Sequence, residues 1–216
     1  MYKKGGGIMG RTSSGNDTKL IKTGLELAKK NGLGGFSVRQ LCAKSKVNLG
    51  MFHYYFGTKD NFDKVILNEI YQTMILRMKT SLEGTPEENT RKLLYAVWDF
   101  IAENRILLSS LAGDVFSGNK NIIKYISENF TEHIFIMLGE LEKAHKNKQL
   151  NTPSAADALI LIIPPLALPN ILFGLAERVD IGLLNKLKSK LISLKADMNQ
   201  KRRIDMLINL VFKREK

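Results

Sequence analysis

Between Phe36 and Phe62 the chain reads FSVRQLCAKSKVNLGMFHYYFGTKDNF, and no other stretch constrains the fold as strongly. Two helix starts lie close together in it. Ser37 followed by Gln40 forms a capping box, in which each side chain serves an amide that the first helical turn leaves unpaired. After a tight turn, Asn48 can cap a second helix. The expected helices, residues 38–44 and 49–55, are too short to be stable alone. They persist only if Val38, Leu41, Val47, Phe52 and Phe56 pack on a neighbour, which leaves polar, basic and aromatic side chains facing outward. That is the build of a helix-turn-helix.

The neighbour precedes it. A helix is expected over residues 17–31, capped by Asn16 or Asp17, with Leu20, Ile21, Leu25, Leu27 and Ala28 on its apolar face and Gly32 closing it. Thr58 starts a long helix reaching Ser81. Thr85-Pro86-Glu87-Glu88 combines a cap, a proline at the first helical position and a glutamate at the third. Helical patterns follow at 86–103, 105–116, 120–147, 153–178, 180–195 and 198–213, with Thr152-Pro153 repeating the cap-plus-proline signal. No strand pattern emerges, so the expected class is all-α. The expected organisation is a basic arm over 1–15, a three-helix helix-turn-helix domain over 16–63 and a helical ligand-binding and dimerisation domain over 64–216.

Charge agrees with this division. The 216 residues carry 33 basic and 21 acidic side chains, a net charge of +12. Residues 1–64 hold 12 of the basic and 4 of the acidic groups, so most of the excess is in the first third. A concentrated excess of this kind suits a polyanion such as nucleic acid. A single cysteine, Cys42, excludes an intramolecular disulfide and fits a reducing compartment. The N-terminus has no apolar core of a secretory signal, so cytoplasmic residence is expected. Residues 158–176, ALILIIPPLALPNILFGLA, are uncharged and nearly long enough to span a bilayer. Pro164, Pro165 and Pro169 do not exclude a span, but a buried, kinked helix in the core or at a subunit contact is expected there, and no membrane partner is expected. No Gly-rich phosphate loop, nucleophile elbow or ligand cluster appears, so neither catalysis, a metal site nor a cofactor is expected.

The LELA run ending in Gly32, SVRQLC, VNLGMFHYYF and TKDNF together resemble the N-terminal domain of the tetracycline-repressor (TetR) family. The resemblance covers about residues 17–66. It implies a dimeric, ligand-responsive regulator with two C-terminal helices forming the dimer. It also implies roles. Ser37 would meet phosphate at a helix N-terminus, and Arg39 would reach phosphate or a base. Asn48, Leu49, Gly50 and Met51 would open the recognition helix towards base edges, with Gly50 allowing close approach of backbone to DNA. His53 and Tyr54 would contact phosphate, Tyr55 would do so or pack inward, and Lys59 would bind phosphate as a point charge. Two positions depart from the family pattern. His53 stands where tyrosine is usual, and Lys46 stands where glycine commonly turns the chain. A left-handed Lys46 would cost about 1 kcal/mol.

The rest of the chain leaves alternatives open. Met74, Met78, Trp98, Phe100, Phe116, Phe130, Phe135 and Met137 suit a pocket for an apolar small-molecule effector and suit an ordinary core equally. Leu159, Ile163, Leu172, Leu207, Leu210 and Val211 are candidates for a homodimer contact, or for burial within one subunit. The expected partners are therefore double-stranded DNA carrying a palindromic operator, a second copy of the chain and an apolar effector. A non-specific architectural DNA binder and a membrane-associated protein using 158–176 are the competing readings.

Overall fold

A computed structural model describes residues 15–80, 82–178 and 197–214. The expected arm and the expected helix over 180–195 lie outside the described residues, as does the side chain of Leu172. Among the described residues the protein is built from helices, with one isolated bridge between Leu150 and Phe212.

Helix α1 (Asn16–Asn31) is the post on which the N-terminal part is assembled. Its buried stripe is Leu20, Gly24 and Ala28. A Cβ on Gly24 would come within 2.4 Å of the Phe62 ring, so this glycine sets how closely the next long helix can approach. Contrary to expectation, neither Asn16 nor Asp17 caps α1: Gly15 occupies the cap position in a left-handed conformation. A 3-10 turn (Leu33–Gly35) leads to α2 (Val38–Ser45) and α3 (Leu49–Phe56), followed by α4 (Lys59–Thr80). Thr58 caps α4 as expected, its Oγ1 accepting from the Asn61 amide at 3.2 Å.

Two apolar cores meet along α4. Phe62, Ile66, Leu67 and Ile70 join the N-terminal core of Leu20, Leu41, Phe52 and Phe56. Tyr71, Met74, Ile75 and Met78 continue into the second core. That core is completed by α5 (Pro86–Glu103), α8 (Glu132–Lys146), α9 (Ala155–Arg178) and α10 (Asp197–Val211). Helix α6 (Arg105–Phe116) ties the two parts together: Leu107 and Leu111 belong to the N-terminal core while the helix also packs on α9. Any motion of α4 or α6 is therefore felt in both cores.

Two local expectations are corrected. The pattern over 120–147 forms two helices, α7 (Lys120–Asn129) and α8, broken at Phe130. Phe130 leaves the helical path and stacks 4.4 Å from the Tyr71 ring, and the Asn129 side chain caps the Tyr125 carbonyl at 2.8 Å. Helix α9 begins later than Thr152-Pro153 suggested, with Ser154 Oγ accepting from the Asp157 amide at 3.1 Å. It then continues through Pro164, Pro165 and Pro169. Ala155, Ala158, Ile162 and Leu166 form its buried stripe, while the first two prolines lie on the exposed side. No helix among the described residues is long and apolar enough to cross a membrane.

Candidate nucleic-acid interface

The α2–α3 pair is fixed by its caps. Ser37 Oγ accepts from the Gln40 amide at 3.2 Å, and Gln40 Oε1 accepts from the Ser37 amide at 2.8 Å. Lys46 ends α2 with φ 57° and ψ 34°, the left-handed turn that a glycine would take without strain. Asn48 Oδ1 then accepts from the Met51 amide at 2.8 Å and starts α3. Leu41, Cys42, Val47, Phe52 and Phe56 are buried, and burial pushes the Cys42 thiol pKa up, keeping it a protonated packing group.

With those side chains turned inward, the outer surface carries Ser37, Arg39, Asn48, Leu49, Gly50, His53 and Tyr54, all exposed. Tyr54 is 79% exposed, although a tyrosine of a small domain ordinarily finds cover; Leu49 is 43% exposed. Gly50 has helical backbone, and a Cβ there would meet Asn48 Oδ1 at 3.4 Å, an ordinary contact. The fold thus does not require a glycine at this place, and the missing side chain leaves room for something outside the chain. His53 Nδ1 lies 2.8 Å from the Gly57 carbonyl. That geometry calls for a proton on Nδ1 and leaves Nε2 facing outward, an acceptor in the neutral ring and a donor in the doubly protonated one.

Two residues expected at the interface, Lys59 and Met51, point elsewhere, and Tyr55 takes the inward of its two expected places. Lys59 donates to the Leu33 carbonyl at 3.0 Å, pairs with Asp63 at 2.5 Å and lies 4.0 Å from the centre of the Phe36 ring. Its ammonium thus ties the start of α4 to the turn before α2, and the capping chemistry of Thr58 remains at the surface instead. Burial raises the Asp63 carboxyl pKa, partly offset by its hydrogen bond to Lys59 and by that cation's charge. Met51 is half-buried and packs on the N-terminal core. Tyr55 is half-buried against the same core, its ring edge-on to Tyr54 at 5.2 Å. The inward role of Lys59 had one signal in the sequence: Asp63, one helical turn on, is positioned to pair with it.

The residues expected to line an apolar pocket divide into two groups. Met74, Met78, Trp98 and Met137 are buried in the second core, with Phe100 and Phe130 half-buried against it. Phe116 and Phe135 are 88% and 66% exposed, away from that core. Phe116 ends α6, beyond the last turn that packs, and Phe135 lies on the outer side of α8. Of the dimer candidates, Leu207 and Val211 are buried within the subunit, Leu159 and Ile163 are half-buried, and Leu210 is exposed. Ile160, Leu161 and Leu168 on α9 and Met206 on α10 are exposed apolar residues that were not singled out in the sequence. Equally apolar residues that are buried, Ile162, Leu166 and Leu207, lie within two positions of them, so composition did not separate the two sets.

This arrangement, a capped helix-turn-helix resting on α1 and α4 and joined to a larger helical body, is the architecture of the TetR-type transcriptional regulators. Over 93% of this chain and all of the other, it superposes with a TM-score of 0.70 on a protein of Rhodococcus sp. provisionally assigned to the TetR family, at 10% identity. It superposes with a TM-score of 0.68 on the transcriptional regulator FadR of Bacillus subtilis, solved with stearoyl-CoA, over 90% of this chain and 98% of FadR at 16% identity. In sequence, 108 residues are 25% identical to the HTH-type transcriptional repressor NicS of Pseudomonas putida. That match covers 49% of this chain and about half, 51%, of the curated relative. No protein-family model matches the chain. These likenesses show the fold: the chain has the TetR-type, all-α fold.

Proposed function

We propose that the protein is a sequence-specific DNA-binding regulator of transcription, a cytoplasmic repressor that binds a palindromic operator as a homodimer. One observation carries this reading. Helix α3 buries Phe52 and Phe56 completely or nearly so, yet presents Leu49, Gly50, His53 and Tyr54 outward on the most basic part of the chain. A helix entering a major groove needs such a face: a small residue where backbone nears the bases, apolar atoms for thymine methyls, and polar groups for phosphate at the edges. Ser37, Arg39 and Asn48 flank it, and Met51 and Tyr55 act from behind as support.

The dimer would form through α9 and α10, using Ile160, Leu161, Leu168, Met206 and Leu210 with Leu159 and Ile163 beside them. Two α3 helices would then read half-sites about 34 Å apart. An apolar effector in the body, near Met74, Met78, Trp98, Phe100, Phe130 and Met137, would favour one spacing of the two heads over another. FadR, solved with stearoyl-CoA, gives a precedent for a ligand with a long apolar chain in this fold. The change would travel through α4, which contributes to both cores. The mainly positive N-terminal third also suits a binder without sequence preference, which the same experiment separates.

Selection of bound sites from random duplex DNA tests the proposal. The expected result is one enriched palindrome with half-sites about one helical turn apart. Retention of DNA without enrichment of any sequence would instead establish the architectural reading.

A further inference from the structure

We infer that Lys46, at the turn between α2 and α3, supplies the lysine–phosphate contact that Lys59 does not, and that with Arg39 it makes the outer side of α2 a holding surface for one DNA strand. The inference rests on the DNA-binding reading above.

The surface follows from where positive charge stands and where it is already used. From Leu27 to Thr58 the chain has no carboxylate. Within the α2–α3 pair the lysines and arginines are Arg39, Lys44 and Lys46. Lys44 is bridged to Glu26 of α1 at 3.3 Å. Arg39 and Lys46 are exposed, and neither forms an ion pair among the described residues. Ala43 lies one turn beyond Arg39 and is exposed as well, and Lys46 follows three residues later. The two cations are thus about 10 Å apart along α2, and the position between them carries only a methyl group. Phosphates of one strand recur every ~3.4 Å along the duplex axis, so the pair can serve two different phosphates while the strand passes over Ala43. Lys46 also stands two residues before Asn48, whose side chain caps α3. Its charge therefore lies beside the turn that carries Leu49 and Gly50.

The turn holds Lys46 at φ 57°, a conformation that glycine would take without strain. Strain alone does not mark a contact, because Lys148 ends α8 in the same way at φ 58°. There the Gln149 amide donates to the Ala144 carbonyl, as the Val47 amide donates to that of Cys42. Lys148 is exposed too, but it belongs to the helical body. It is therefore a matched control with the same charge and the same backbone.

Fluorescence anisotropy of the full chain on a labelled random-sequence duplex, from about 50 to about 200 mM salt, tests the inference. Lys46→Gln removes the charge and keeps the strained turn. It should lower the slope of log affinity against log salt by about one for each head bound. Lys46→Arg should restore the parent slope, and Lys148→Gln should leave it unchanged. Lys46→Gly separates the contact from the fold: the denaturation midpoint should rise while the slope falls as in Lys46→Gln. A parent slope retained in Lys46→Gln, or an equal fall in Lys148→Gln, would overturn the inference and leave the DNA-binding reading standing. A parent chain that binds no duplex would overturn both.

Discussion

The reading head (α1 to α3 with the first turns of α4) and the helical body differ in how their residues are committed. In the head nearly every side chain has one place to go. Apolar groups turn inward, caps close each helix, and Arg39, Leu49, Gly50, His53 and Tyr54 stay outside. In the body, the same apolar residue types serve as core and exposed surface along a single helix. Ile162 and Leu166 of α9 are buried, while Ile160, Leu161 and Leu168 are exposed. A function carried on a short, capped motif is set by local rules. A function carried by a dimer face or a pocket depends on which of several equivalent apolar surfaces finds a partner.

The largest effect should come from the head's own core. Phe52→Ala should cost about 3–5 kcal/mol, measured by chemical denaturation, because the ring is fully buried between α1 and α4. A loss below about 1 kcal/mol would mean that α3 is not held as described. Next is Lys59→Ala, which should destabilise by about 1–3 kcal/mol by stranding Asp63 and the Leu33 carbonyl. Its effect on the salt dependence of DNA binding should be small. A salt slope reduced by about one would show instead that the ammonium reaches phosphate. Tyr54→Ala should leave stability within about 0.5 kcal/mol, given its exposure. It should weaken DNA binding by about tenfold in a gel-shift titration, the loss of a good polar contact.

The smallest effect concerns pH, and it lies in the body. Burial lowers the His133 pKa below its ordinary value, and its Nδ1 lies 3.1 Å from the Tyr71 hydroxyl. The neutral ring's contribution is complete above about pH 6.5 and is lost as pH falls through the lower folded-state value. Melting temperatures of the parent chain should therefore decline below about pH 6.5 more steeply than those of His133→Gln. Parallel profiles would remove His133 from the account. Asp63, with its raised pKa, works in the opposite sense: its penalty in the charged form is relieved as pH falls, so it does not drive acid unfolding.

The contrast between the two regions also explains what the sequence made legible. The Ser37–Gln40 box, the Asn48 cap and the left-handed Lys46 follow from side-chain chemistry within a few residues, and the structure has all three. The all-α class follows from periodicity repeated over the whole chain. The inward turn of Lys59 had only Asp63 as a local signal, because its other partners Leu33 and Phe36 are brought to it by the fold. The break at Phe130 left no proline or glycine as a signal; it arises from aromatic packing against Tyr71, far away in sequence. Phe116 and Phe135 looked like pocket residues because composition records that a side chain is apolar, not which way its helix faces.

The central claim is that the outward face of α3 reads sequence, not charge alone. Its most direct test is a competition titration of a selected palindrome against bulk duplex DNA as salt rises from about 50 to about 200 mM, on the parent chain and on Gly50→Leu. The parent should lose affinity for both but keep a preference of about a thousandfold or more for the palindrome, and Gly50→Leu should lose that preference while remaining folded. Equal loss on both DNAs, or a preference unchanged in Gly50→Leu, would contradict the account.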